Sequence, residues 1–223
     1  MATRMTRLLS DSRTALFTML GIQAVIWSVQ VLNWLDDYGL SREFGLRSEQ
    51  LGDLPEMFTS PFLHFSWEHI EANSWPLFVL GFLAAVRGMQ KFLLASLVIM
   101  VSGGLTVWLL ESSNTVTAGA SGMVYGYLGY VVLRGLLDRK VLDAVVGVVV
   151  AVLYSSLLIG VLPVAQGVSW LGHLGGLIGG LAAAVLLRNR TPGPVAPAPA
   201  SASASAPNSP GTALLKQLDD LGI

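Results

Sequence analysis

The chain has no cysteine. Disulfides, thiolate catalysis and cysteine metal sites are therefore excluded. Charge is scarce as well. Asp, Glu, Lys and Arg make up 12% of the 223 residues, about half the share of a soluble domain. A soluble fold of this length needs a charged surface, and these residues cannot cover one. With 53% of the residues hydrophobic, the implied solvent is lipid. The formal net charge is −1 and no basic block stands out, so nucleic acid finds no electrostatic footprint. There are three histidines and no His-Glu-x-x-His run, which speaks against a zinc site.

What the chain does contain is long apolar runs. A helix needs roughly 20 residues to cross the hydrocarbon core. Six segments qualify or nearly so: 14–35, 62–86, 92–110, 116–137, 141–162 and 168–187. Arg4, Arg7 and Arg13 precede the first, as in a signal peptide. That stretch is long for such a segment, however, and Trp34, Asp36 and Asp37 stand where a small-residue cleavage site would be. It reads as a retained first membrane helix. With the N-terminus in the cytoplasm, Arg87, Lys91, Arg134, Arg139, Lys140, Arg188, Arg190 and Lys216 also lie inside. Only Arg42 and Arg47 fall outside. The positive-inside rule thus predicts an all-α membrane protein of six transmembrane helices with both termini cytoplasmic.

Residues 1–190 form the predicted membrane domain. The loop 36–61 is the longest connection between spans, and loops of that length carry function or structure of their own. Residues 191–211 are rich in Pro, Ala and Ser and read as a disordered linker. In 212–223, Leu214, Leu215, Leu218 and Leu221 recur at helical spacing, which suits a short amphipathic tail.

The chemistry-bearing residues lie inside the predicted spans, where an idle polar group costs free energy. His64, His69 and Asn73 belong to the second, Ser121 opens the fourth, and His173 lies in the sixth. In Gly119-Ala120-Ser121-Gly122, small neighbours let a carbonyl approach the serine. Free N–H groups at a helix N-terminus suit a developing oxyanion. The same residues would also suit plain helix packing. Gly172, Gly176 and Gly180 are spaced by four and line one face beside His173. A close crossing of the fourth and sixth helices would bring His173 to Ser121, as a nucleophile–base pair requires. His69 and Asn73 are i and i+4 on one face, and both can donate to a transient anion.

These elements together resemble the rhomboid family of intramembrane serine proteases, in its prokaryotic six-helix form. The match lies in Gly119-Ala120-Ser121-Gly122 with Tyr125, in His64, His69 and Asn73, and in His173 with Gly176 and Gly180. It spans roughly residues 14–190. The resemblance implies that Ser121 attacks a scissile carbonyl and that His173 serves as its base. It implies an oxyanion hole made by His69, Asn73 and the Ser121 N–H. Tyr125 would stack on His173, Gly119 would line the cleft, and His64 would support the site. No cofactor or metal comes with the family. The partners implied are the bilayer and single-span membrane-protein substrates, and the location is a bacterial plasma membrane. One departure is Pro55-Glu56 in the first external loop, where many members carry Trp-Arg; this affects the loop's packing and no reacting group.

Two other readings compete. Polar groups in the second, fourth and sixth spans could line the pathway of a small transporter. An inactive rhomboid-like protein could bind membrane proteins without cutting them. The transporter gives no reason for a serine between glycines opposite a histidine, and the inactive relative gives none for keeping both Ser121 and His173. A soluble α/β-hydrolase is excluded, because Met123 occupies the last glycine position of the nucleophile elbow. Counted from the helix ends, the site should lie in the outer half of the bilayer. Its expected setting is a wet cavity open to the outside, lined by Ser66, Glu68, His69, Glu71 and Asn73.

Overall fold

A computed structural model describes residues 2–112, 115–138, 141–164, 167–188 and 210–222. Two units emerge, Met1–Asn189 and Arg190–Ile223. In the second unit, helix α8 covers Pro210–Asp220; Leu214, Leu215 and Leu218 on it, and Leu221 just past its end, are exposed. The expected linker 191–211 lies outside the described residues except for its last two, which begin α8. Arg139, Lys140 and Arg190, used above for orientation, also lie outside them, as do the side chains of Arg4 and Arg7.

The first unit is helical. Its order is α1 (Ala2–Leu35), α2 (Gly39–Phe44), β1 (Leu46–Arg47), two 3₁₀ turns (Leu51–Met57 and Ser60–Phe62), α3 (Trp67–Ala85), α4 (Met89–Leu110), β2 (Val116–Thr117), α5 (Ser121–Leu137), α6 (Val141–Leu153), a 3₁₀ segment (Ser155–Val161) and α7 (Trp170–Leu186). Each of the six predicted spans therefore carries a helix, with boundaries corrected. The second span does not begin as helix at residue 62. Ser66 caps α3 by accepting the His69 N–H at 3.1 Å, which leaves His64 ahead of the helix. The fourth does not begin at 116, because Val116–Thr117 pairs antiparallel with Leu46–Arg47. The fifth is not one straight helix: α6 and the following 3₁₀ segment meet at 62°.

By length and composition, two helices among the described residues can cross a membrane: Leu9–Leu35 and Met89–Leu110. The bent pair Val141–Leu153 and Ser155–Val161 makes a third if it counts as one span. The shortfall from six has a physical cause. Helices α5 and α7 have 17 residues each, about 26 Å of rise against a core of about 30 Å. The first half of α3 is polar. Large apolar side chains are exposed along α1, α4 and α6, among them Phe17, Leu97 and Val152, as expected of surface that meets lipid.

Helix α5 is the centre of the bundle, with an unbroken buried run from Met123 to Val131. It packs on α3, α4, α6 and α7. A helix buried nearly all round suits a core position. The closest packing is with α7. A Cβ on Gly176 would enter the Gly122 carbonyl oxygen, and one on Gly180 would enter that of Gly126. Only glycine lets these backbones come so near. At the far end of α5, Arg134 is almost fully buried and pairs with Asp138 at 2.9 Å, which also holds Arg87 at 2.8 Å. Pairing is what makes such burial tolerable. At the near end, α5 starts on Ser121.

Candidate active site

Ser121 is the first residue of α5, where backbone N–H groups lack intrahelical partners. The chain reaches it through Gly119 at φ +136°, a conformation that favours glycine. Two bonds hold this approach. The Gly119 N–H donates to the Ser60 carbonyl at 2.9 Å, and the Ala120 N–H donates to His64 Nε2 at 3.3 Å.

His173 lies in the first turn of α7, behind the cap made when the Gly172 N–H donates to Ser169 Oγ at 3.1 Å. Ser169 in turn donates to Glu111 Oε2 at 2.8 Å, which ties the start of α7 to the end of α4. The glycine seam then brings His173 Nε2 to 2.8 Å from Ser121 Oγ, across 52 positions of sequence. On the other side of the ring, Nδ1 lies 2.8 Å from the Gly160 carbonyl oxygen. A carbonyl only accepts, so Nδ1 carries the proton and neutral Nε2 accepts from the serine hydroxyl. Tyr125 stacks on the imidazole at 4.2 Å between ring centroids and 15° between planes. Tyr125 is one turn beyond Ser121, so one helix carries both the hydroxyl and the plate that holds the ring.

His69 and Asn73 approach from α3. A Cβ on Gly119 would come within 2.8 Å of His69 Nε2 and 3.8 Å of Asn73 Nδ2, so both donors face the backbone just before Ser121. Asn73 is buried, and its Nδ2 has no partner among the described residues. Such a donor is costly unless something else accepts from it. His64 stands further back, with its ring edge-on to His69 at 5.0 Å between centroids. The structure thus gathers Ser121, His173, Tyr125, Gly119, His69 and Asn73, with His64 behind them.

A cavity of about 740 Å³ opens onto this group, and Glu68, His69, Gly119, Ser121, Glu111 and His173 are in its wall. The expected lining is corrected in part. Of Ser66, Glu68, His69, Glu71 and Asn73, only Glu68 and His69 line it. Ser66 is spent on capping α3, and Glu71 faces a separate groove beside α1. Asn73 is buried and does not line the cavity. The departure at Pro55-Glu56 has a packing answer. These residues belong to the turn Leu51–Met57, and Met57 is buried against Gly104 of α4 at the cavity. Among the described residues, no three His, Asp or Glu side chains gather as a metal shell. Sequence reasoning missed Gly160 and Ser60, whose backbone carbonyls act without any side-chain signal. It also missed Glu111, whose only sign was a carboxylate at a helix end.

The model of the rhomboid domain matches residues 51–190. The chain belongs to the rhomboid family. An uncharacterized protein of Mycobacterium tuberculosis is 37% identical over 178 residues, covering 76% of this chain and 74% of that one. Rhomboid protease GluP of Bacillus subtilis is 29% identical over 149 residues, covering 65% of this chain and 29% of that protein. Rhomboid protease GlpG of Pectobacterium atrosepticum is 37% identical over 107 residues, covering 47% and 35%. As a rhomboid, the chain is an integral membrane protein, in keeping with its apolar helices. Its matched region holds α3 to α7 and every residue of the site above; α1 and α2 precede it.

Proposed function

We propose that this rhomboid is a serine endopeptidase that cuts the transmembrane segments of single-span membrane proteins, with Ser121 and His173 as its catalytic dyad. The observation that carries this reading is the 2.8 Å approach of His173 Nε2 to Ser121 Oγ, with Nδ1 held by Gly160. A neutral imidazole in that tautomer takes the serine proton as Oγ attacks the scissile carbonyl. The tetrahedral oxyanion then accepts from the Ser121 N–H, His69 and Asn73. His173 returns the proton to the leaving amine, and the C–N bond breaks. Water repeats the cycle on the acyl-enzyme and frees Ser121. Tyr125 keeps the imidazole in plane throughout. No metal or cofactor enters these steps.

The same reading takes the six helices α1, α3, α4, α5, α6 with its bent extension, and α7 as six spans. Both termini face the cytoplasm of a bacterium, and the site faces outward. The cation distribution supports this orientation. Helices too short for a full bilayer are supported by their neighbours: α5 is buried in the bundle, and α7 lays its glycine face against it while Ile178, Leu181 and Val185 stay exposed. The deciding experiment is labelling by a fluorophosphonate probe in detergent. Parent protein should label and Ser121→Ala should not. A folded parent that fails to label, or a Ser121→Ala variant that labels equally, would remove the protease reading.

A further inference from the structure

We propose that Asn33, at the end of α1, is a positioning residue for the oxyanion side of the site. The inference rests on the protease reading above. It starts from a side chain with no exposure at all, two residues before the end of α1. A buried amide is costly unless its donors and acceptor are used. Asn33 uses both ends. Its Nδ2 donates to the His64 carbonyl at 2.8 Å and to Ser41 Oγ at 2.8 Å. Its Oδ1 accepts from the Ser41 N–H at 3.0 Å. Ser41 Oγ adds a second donor to the His64 carbonyl at 3.2 Å. The backbone of His64 is therefore gripped from two side chains at once.

His64 passes this grip on in two directions. Its Nε2 accepts from the Ala120 N–H, which fixes the peptide just before Ser121. Its ring edge meets His69, a donor facing Gly119. Asn33 touches no reacting atom. It sets the residue that sets His69 and the approach to the Ser121 N–H. An oxyanion donor must sit within a narrow distance of a charge that exists only in transit. A misplacement of about 1 Å can cost about a hundredfold in rate. Asn33 and Ser41 lie before residue 51, where the rhomboid match begins. The first helix thus reaches the site through a contact that the matched domain does not contain.

The competing role for Asn33 is to fasten α1 to the bundle and nothing more. Asn33→Asp separates the two. It keeps the shape and the acceptor for the Ser41 N–H, and it removes the donor to His64. The measurement is kcat and KM on a single-span substrate in detergent, with the melting temperature alongside. We expect kcat to fall roughly tenfold to a hundredfold with KM unchanged. Added to His69→Ala, Asn33→Asp should cost less than it does in the parent, because part of its effect runs through His69. A parent-like kcat, or losses that multiply in full, would overturn the inference. If Asn33→Asp does not fold, Ser41→Ala decides: it removes one donor to the same carbonyl and must lower kcat while leaving KM alone. Ser121→Ala is run beside them. If it still cleaves, the protease reading fails; if it is inert while Ser41→Ala and Asn33→Asp match the parent, the Asn33 inference fails alone.

Discussion

The Gly160 carbonyl stands 2.8 Å from His173 Nδ1 and so decides which nitrogen of the imidazole faces Ser121. The usual third member of a serine–histidine site is a carboxylate that fixes the tautomer. In the proposed dyad a backbone carbonyl on the 3₁₀ segment after α6 would take that place. It supplies orientation without a negative charge, which suits an apolar surrounding where an unpaired carboxylate would be costly.

The first prediction follows from the dyad. Ser121→Ala and His173→Ala should each abolish proteolysis while leaving the melting temperature near that of the parent. The double variant should be no worse than either single one, because the two residues act as a unit. Cleavage assays on the three purified proteins check this. Activity in either single variant would dissolve the pair.

The oxyanion donors give a graded effect instead. Removing one such donor costs about 10²–10³ in rate. Asn73→Ala should lower kcat by that order and leave measurable turnover, and His69→Ala should behave likewise. Asn73 offers a further sign, since its Nδ2 now stands without a partner among the described residues. Its removal should not destabilise the resting protein, and a thermal melt would report it. Unchanged kcat in both variants would mean that this face of α3 does not meet the transition state.

Much of this was legible in the sequence because it was written in side chains. Motif and spacing single out Ser121, His173, Tyr125, His69 and Asn73, which the structure brings near one another, and the glycines of α7 that recur every four residues meet α5. What escaped was carried by backbone or by context. Gly160 and Ser60 act through carbonyls that any residue type possesses. Asn33 and Ser41 read as ordinary polar residues around a span end until the fold sets them against His64. The bend after Leu153 lies in an apolar run, and hydropathy registers composition and not direction. Hydropathy extends the second span back to residue 62 and so takes in His64, but Ser66 starts the helix behind it.

The glycine seam predicts a local stability effect. Gly176→Ala places a methyl group inside the Gly122 carbonyl, so α5 and α7 must part. Overpacking of this kind costs about 1–3 kcal/mol. A backbone obstacle, which cannot rotate away, points to the upper end. The variant should melt lower and lose fluorophosphonate labelling together, since the seam also sets the distance from His173 to Ser121. Gly21→Ala is the matching control, because nothing lies within 4 Å of a Cβ there. It should melt at or slightly above the parent temperature, as alanine favours helix over glycine. Equal melting of the two variants would show that the seam does not hold the bundle.

The last prediction concerns which side of the membrane the site faces. The two ends of the bundle differ. One holds Ser121, the cavity of about 740 Å³ and the loop that bears Arg42 and Arg47. The other holds the α3–α4 turn with Arg87, and Arg134 with Asp138 at the end of α5. Among the described residues, Arg87, Lys91 and Arg134 belong to this second end, which the positive-inside rule puts in the cytoplasm. The proposed hydrolysis needs water, hydrocarbon holds almost none, and the cavity would be the route by which water reaches Ser121. A small polar reagent should follow the same route. The chain has no cysteine, so a single introduced thiol reports without background. Ser121→Cys should react in intact cells with a membrane-impermeant thiol reagent added from outside. Gln90→Cys, exposed next to the α3–α4 turn, should react only after permeabilisation. The reverse pattern would invert the topology. Protection of Ser121→Cys from both sides would mean that the cavity does not conduct water to the nucleophile, and the proposed hydrolysis would lose its second substrate.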